Sequence, residues 1–271
     1  MKEEISKLPS ITVITVCFNS VKEIEETIKS VINQTYSDIE YIIIDGGSTD
    51  GTLDVIEKYA DKISYFVSEP DYGIYDAMNK GIKRATGDYI NFMNAGDMFY
   101  TPETLQIVAS KMNVADVYYG KVLRHTAYQD YLDVPRPLER IKECMPFDHQ
   151  GVFVALSKIK QHLFNTAYKI IADYIQLNSI YKEGGRFEFI NEIIAVRDDT
   201  KGISYDKWDT LGFKEMARFH QTDKTFYFIS RYYYNLFKSF IFKNILSNEA
   251  KRKRDEKRVR KYISEMAKEE L

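Results

Sequence analysis

Ile11-Thr12-Val13-Ile14-Thr15-Val16-Cys17-Phe18-Asn19 is the stretch on which the fold turns. From Ile11 to Phe18 it is apolar or β-branched, without the in-out alternation of a strand that has one wet face, so it reads as a strand buried on both. Such a strand belongs at the centre of a parallel sheet, and parallel strands need crossover helices. One follows at once. Ser20 and Glu23 have capping-box spacing, and Val21, Ile24, Ile28, Val31 and Ile32 recur at helical period to give one buried stripe. The unit then repeats. Glu40 to Ile44 predicts a second strand, Asp45-Gly46-Gly47-Ser48 a tight turn, and Leu53, Val55, Ile56 and Tyr59 a second helix. Ile63 to Val67 predicts a third strand, Ile74 to Ala85 a helix stopped by Gly87, and Tyr89 to Met93 a fourth strand. Alternation of this kind means an α/β fold, a doubly wound, mostly parallel sheet with flanking helices.

Outward from that core the signals thin. Thr101 as N-cap with Pro102 at the first helical position opens another helix, and Asp116 to Tyr119 begins further strands. Pro135, Pro137 and Pro146 mark a loop-rich stretch ending at Phe147-Asp148-His149-Gln150. Beyond it Ile170 to Tyr181 predicts a helix and Arg186 to Val196 a returning strand. The segment from Lys224 to Leu246 is dense in Phe, Tyr, Ile and Leu, with cations at Arg231, Lys238 and Lys243, and leads into the basic cluster Lys251 to Arg254. The expected organisation is one domain over 9–200, with halves 9–100 and 101–200, and a helical extension over 201–271.

The 271 residues are 44% apolar and 29% charged, ordinary for a globular chain, while 21 Tyr and 16 Phe make it rich in aromatics that suit cores, sugars and bases alike. The formal charge of -2 hides an acidic first part and a basic last part. Cys17 and Cys144 stand far apart with no CxxC or His-rich neighbours, which argues against a disulfide framework or a zinc site and for a reducing compartment. With no apolar leader and no run long enough to span a bilayer, the expected location is the cytoplasm. Nucleic acid is a poor partner for Lys251 to Arg254, because Asp255 and Glu256 dilute the charge at once. The segment 224–261 has two readings: a peripheral contact at the inner face of a membrane, or a helix packed over the domain or in a dimer interface.

In an open α/β sheet ligands bind beyond the carboxyl ends of the strands. Those ends are polar here: Phe18-Asn19, Asp45-Gly46-Gly47-Ser48, Glu69-Pro70-Asp71 and Asn94-Ala95-Gly96-Asp97. An aromatic face, several carboxylates and glycine turns on one rim suit a nucleotide with a metal-bound diphosphate. Singly, Asp45 and Asp97 read equally well as turn residues.

Taken in order, the blocks Thr15-Val16-Cys17-Phe18-Asn19, Ile44 to Thr52, Glu69 to Gly81, Ala85 to Ile90 and Asn94 to Asp97 resemble the donor-binding half of the family-2 inverting glycosyltransferases, which have the GT-A fold, and specifically their bacterial polysaccharide-assembly branch. The likeness weakens after Asp97, with echoes at His149-Gln150 and Ala172-Asp173-Tyr174. It implies transfer of a sugar from a nucleotide-diphosphate donor, a UDP-sugar first of all, to a hydroxyl of a glycan acceptor, lipid-linked acceptors included. It also implies the residue roles. Phe18 packs on the nucleobase with Asn19 beside it, Asp45 accepts from a base N–H, Lys80 contacts phosphate, and Asp97 with the Asn94 segment holds Mg2+ or Mn2+. Asp173 is the base that takes the acceptor proton, and His149 and Gln150 bind acceptor, diphosphate or metal.

Each role has a plainer alternative: an exposed helix lysine for Lys80, a solvated helix face for Asp173, a structural histidine for His149. Two departures stand out. Gly46 occupies a position that is often acidic, and the family's Asp-x-Asp metal motif is reduced to Asn94 and Gly96 before a lone Asp97. That erosion keeps a rival class in play, a non-catalytic partner subunit that binds sugar or nucleotide. A sugar-nucleotide pyrophosphorylase is disfavoured, because Asn19-Ser20-Val21-Lys22-Glu23 replaces the Arg- and Lys-bearing glycine loop expected after its first strand.

Overall fold

The computed structural model describes residues 8–126, 129–199 and 211–222, together with single helical positions between 229 and 260. Nine strands form one sheet: β1 (Ile11–Cys17), β2 (Ile39–Asp45), β3 (Tyr65–Ser68), β4 (Tyr89–Phe92), β5 (Met98–Phe99), β6 (Val117–His125), β7 (Tyr131–Asp133), β8 (Val152–Ala155) and β9 (Phe187–Asp198). The order is β3-β2-β1-β4-β8-β6-β9-β5, with β7 paired to β6. The half β3-β2-β1-β4 is wholly parallel, and β6 and β9 are parallel again. β8 joins the two parts antiparallel to both neighbours, and β5 and β7 also pair antiparallel.

Every residue of β1 is buried, as its unbroken apolar run requires. Its side chains alternate between two cores. Ile14 and Val16 join Ile42 and Ile44 of β2 under α3 (Ile74–Arg84), α5 (Leu156–Gln161) and α6 (Ala172–Lys182). Val13 and Cys17 join Tyr41 and Ile43 under α1 (Ile24–Ile32), α2 (Thr52–Glu57) and α4 (Thr104–Lys111). The result is three layers, helices on both faces of a sheet. The two polar residues of β1 are satisfied inside: the Thr15 hydroxyl donates to the Met93 carbonyl at 2.7 Å and that of Thr12 to Glu40 at 2.6 Å.

Several expectations shift at element ends. The capping box does not form, because Ser20 turns its hydroxyl to the Phe18 carbonyl and α1 starts only at Ile24. Thr101 is not the cap of α4 either: residues 101–103 make a separate turn, and the Thr104 hydroxyl accepts from the Thr101 N–H. The strands β5 and β8 escape sequence reading, being two and four residues long. The returning strand is present as β9 and runs through Asp198. A seventh helix, α7 (Phe213–Phe219), lies against α6 with the Phe219 ring 5.6 Å from that of Tyr174, edge to face. The expectation for 224–261 falls almost wholly outside the described residues. Among the described residues no helix is long and apolar enough to cross a membrane.

Candidate active site

Three parallel strands deliver the first corner of the site. Asp45, paired with Cys17 across β1 and β2, is fully buried. One of its oxygens accepts from the Gly47 N–H at 3.0 Å, the Ser48 N–H at 2.8 Å and the Ser68 hydroxyl at 2.7 Å, and the other accepts the Ser48 hydroxyl. Burial opposes its charge, yet those hydroxyls and the Ser48 N–H hold its carboxyl below the usual carboxylate range. Asn19 ties the neighbouring loop to the same turn: its N–H donates to the Ser48 hydroxyl at 2.7 Å and its side-chain oxygen accepts from the Thr49 N–H at 3.0 Å.

Above this turn Phe18 is 61% exposed at the end of β1. A Cβ on Gly46 would lie 2.6 Å from a carboxylate oxygen of Asp71 and 3.4 Å from the Phe18 ring, so the absent side chain is what lets ring and carboxylate face each other. Asp71 is only half-buried, and the loop that carries it is pinned from both sides. Lys80 reaches Glu69 at 2.9 Å and the Pro70 carbonyl at 3.0 Å, and Lys169 donates to the Tyr72 carbonyl at 3.0 Å. Tyr72, 87% exposed, stands beside them.

The second corner forms at the end of β4. Asn94 to Asp97 close a turn through the Asp97 N–H and the Asn94 carbonyl at 2.9 Å, with Gly96 at φ +99, the left-handed geometry a type II turn asks of its third residue. The buried Thr27 of α1 anchors it, accepting from the Gly96 N–H at 3.0 Å and donating to the Asp97 carbonyl at 2.8 Å. Because β8 runs antiparallel to β4, with Tyr89 opposite Ala155 and Ile90 opposite Val154, continuing that register sets His149-Gln150 against Asn94. Gln150 donates to Asp97 at 2.9 Å, and the Asn94 amide meets His149 Nε2 at 3.2 Å. His149 Nδ1 lies 3.6 Å from Asp173 at the start of α6. The other Asp173 oxygen accepts from the Tyr75 hydroxyl at 3.1 Å and the Tyr174 N–H at 2.8 Å.

Asp97, Gln150, His149, Asn94, Asp173 and Tyr75 are thus one connected set, drawn from four separate parts of the chain. Burial raises the Asp97 carboxyl to about 7, with Gln150 and Arg197 pulling the other way. Burial also lowers the His149 imidazole below its ordinary value, against the pull of Asp173. A neutral ring that accepts the Asn94 amide at Nε2 carries its proton on Nδ1, facing Asp173. The two corners share one edge: Asp45 closes β2 beside Cys17, and the Ala95 N–H bonds the Val16 carbonyl at 3.2 Å. Two strand spacings, roughly 10 Å, separate them.

Beneath His149 lies a buried ionic network that no sequence signal announces. Asp148 takes both Arg124, at 2.7 and 2.9 Å, and Arg197, at 3.0 Å. Arg124 also meets Asp133 at 2.8 Å, and both arginines meet Asp199. Burial opposes the Asp148 charge, but the two guanidiniums hold its carboxyl down at about 2. Asp71 was visible only as one of several strand-end carboxylates, with no role of its own, and Tyr75 was unmarked. Both sit inside the block from Glu69 to Gly81, where turn and helix readings sufficed to explain them.

A divalent cation is compatible with the second corner. Among the described residues no group of three or more His, Cys, Asp or Glu side chains converges, so this is not an all-protein cage. Mg2+ and Mn2+ at diphosphates need only one or two carboxylates and complete their shells with water and phosphate oxygens. Asp97 is the carboxylate available there, and the side-chain oxygen of Asn94 is a buried acceptor without a hydrogen-bond partner.

The fold and the polar edge define a GT-A-type sugar-transfer scaffold. The chain belongs to glycosyl transferase family 2, whose sequence profile matches residues 12–181, and it is a glycosyltransferase. A PGL/p-HBAD biosynthesis glycosyltransferase of Mycobacterium bovis is 30% identical over 177 residues, spanning 61% of this chain and 67% of the relative. S. aureus TarS residues 1–349 in complex with UDP superposes with a TM-score of 0.59 at 20% identity, over 89% of this chain and 76% of the other. The mannosyltransferase PcManGT from Pyrobaculum calidifontis, in complex with GDP-Man and Mn2+, gives 0.62 at 18% identity over 88% and 71%. At those identities the likeness concerns the fold alone.

Proposed function

We propose that this chain moves a hexosyl or N-acetylhexosaminyl group from a UDP-sugar to a hydroxyl of a glycan acceptor with inversion, in the cytoplasmic assembly of bacterial surface or extracellular polysaccharide. The observation that carries this reading is the continuous set from Asp97 through Gln150, His149 and Asn94 to Asp173. It joins a diphosphate-side carboxylate to an acceptor-side carboxylate across one edge of the sheet.

In this reading Phe18 offers its exposed face to the base. The hydrogen-bond acceptor for the base N–H passes from Asp45 to Asp71, because both Asp45 oxygens already serve the turn while Asp71 faces the Phe18 ring. Asp45 and Asn19 shape that turn. Lys80 orients the loop of Asp71 through Glu69 and Pro70. Asp97 and Asn94 would hold Mg2+ or Mn2+, whose charge would neutralise the diphosphate leaving group. Asp173, steadied at one oxygen by Tyr75 and Tyr174, presents the other to the acceptor hydroxyl and takes its proton as that oxygen attacks the anomeric carbon. His149 donates from Nδ1 on the same side and keeps the attacking oxygen aligned, with Gln150 holding Asp97. A single displacement without a protein nucleophile inverts the anomeric centre.

The test is metal-dependent release of UDP from a panel of UDP-sugars. Asp97→Ala and Asp173→Ala are each expected to lower turnover by about 100-fold or more, the scale of losing a general base or a charge stabiliser. Unchanged UDP binding in both variants, with no turnover by the parent chain on any donor, would instead establish the rival binding-only subunit.

A further inference from the structure

The helix that carries Asp173 begins without a cap of its own. Ile171 stands at the N-cap of α6 with no side-chain hydrogen bond to the helix, as an aliphatic residue must. The amides of the segment leading into the helix, 169 to the N-cap at 171, are taken by a residue far along the chain. Glu215 of α7 is 7% exposed, and its carboxylate accepts from the Lys169 N–H at 2.7 Å with one oxygen and from the Ile170 and Ile171 N–H groups at 2.9 and 3.3 Å with the other. A carboxylate in that place also complements the positive end of the helix.

The same peptide is gripped from the opposite side. The Ile170 carbonyl accepts from the Tyr75 hydroxyl at 2.8 Å, and that hydroxyl lies 3.1 Å from Asp173. Lys169, whose N–H Glu215 holds, extends its ammonium to the Tyr72 carbonyl in the loop beside Phe18 and Asp71. One buried carboxylate therefore fixes the short segment from which both the acceptor-side base and a prop of the donor loop are hung. α7 is kept in place by its own contacts: Phe219 against Tyr174, His220 to the Tyr174 hydroxyl at 3.2 Å, and Arg218 over Tyr168 at 5.5 Å.

We propose that Glu215 is a positioning residue for catalysis, a cap supplied from beyond the family-matched segment 12–181 that sets Asp173 against His149 and Tyr75. This rests on the assignment of Asp173 as base. Without the Glu215 carboxylate the amides of 169–171 must find water, and α6 is free to fray by the turn that bears Asp173. A displacement of about 1 Å at a reacting group costs on the order of 100-fold in rate.

The experiment compares Glu215→Ala, Glu215→Gln, Asp173→Asn and the double variant Glu215→Gln/Asp173→Asn in the full chain. It reads UDP release from UDP-glucose, UDP-galactose and UDP-N-acetylglucosamine with Mn2+, beside the affinity for UDP. Glu215→Ala is expected to lower kcat by roughly 10- to 100-fold with the UDP Kd within about two-fold. Glu215→Gln, which keeps an acceptor oxygen, is expected to recover part of that loss and serves if the alanine variant does not fold. In the double variant the Glu215 change is expected to add nothing to the loss from Asp173→Asn, whereas a merely structural role would multiply the two. A Glu215→Gln chain with parental kcat, or losses that multiply, overturns the positioning role while Asp173→Asn alone remains inactive. A fully active Asp173→Asn, or no turnover by the parent on any donor, overturns the base assignment and this proposal with it.

Discussion

At the scale of single residues, two aspartates on one rim have opposite environments. Asp45 is sealed beneath the turn with four donors on its oxygens, whereas Asp71 looks across Gly46 at an exposed ring. Asp45→Ala would strand the Ser48 and Ser68 hydroxyls and two loop amides, at about 1–3 kcal/mol for each donor that water does not reach. A drop in stability of several kcal/mol is the expected outcome, read by denaturant unfolding. Asp71→Ala is expected to leave stability within roughly 1 kcal/mol and to weaken UDP binding by about ten-fold, the worth of a hydrogen bond to a charged acceptor. Titration calorimetry on both variants decides: if Asp45→Ala folds normally and loses UDP while Asp71→Ala binds as before, the roles are reversed. The sequence made both residues visible as strand-end carboxylates. The resemblance gave the base contact to Asp45 and none to Asp71, whereas the choice between them depends on which serines and which glycine surround each one in space.

At the scale of elements, the donor half was legible throughout, whereas in the acceptor half only the longer elements β6, α6 and β9 were, for a physical reason. Strands β1 to β4 are joined by helices at short, regular intervals, so periodicity alone places them and their polar ends follow. In the second half the sheet is closed by antiparallel pieces of two to four residues, too short to carry a period. An ionic cluster adds to the backbone ladders there: β6 gives Arg124, β7 Asp133, β9 Arg197 and the turn before β8 Asp148, with Asp199 just past β9. Arg124→Met would leave Asp148 and Asp199 to Arg197 alone and take the guanidinium from Asp133, and removing one member of a buried ionic cluster costs about 3–5 kcal/mol. The pH dependence has a definite sign. Asp148 is held down at about 2 when folded against about 4 in the unfolded chain, so its contribution is complete above about pH 4 and is lost as pH falls toward 2. In Arg124→Met the folded Asp148 carboxyl rises toward its unfolded value, so the loss between about pH 4 and 2 is expected to shrink. Melting curves from pH 2 to 7 that coincide for parent and variant would remove the network from the account of stability.

At the scale of the whole molecule, the boundary expected after residue 200 falls between α6 and α7, which are in contact. The family profile ends at residue 181 and the composition changes near 200, so the later segment reads as an appendage. Yet α7 closes the open end of α6 through Glu215 and lays Phe219 on Tyr174, beside the candidate base. Capping contacts made from a distant segment leave no periodic trace, since a lone Glu in an amphipathic helix looks like any solvated face. A chain ending at residue 200 would expose the Tyr174 ring and return the amides of 169–171 to solvent. A chain ending at residue 222 retains every described contact of α7 with α6. The shorter form is therefore expected to melt at lower temperature and to lose most of its UDP-sugar turnover while its β1-to-β4 half still binds UDP with Mn2+. The longer form is expected to keep turnover within about two-fold of the full chain, since it retains the described contacts of α7 with α6. Thermal melts and UDP-release rates on the two truncations measure this directly. Equal activity at 200 and 222 would make the later segment dispensable, and loss of activity at 222 would move the essential contact into residues 223–271.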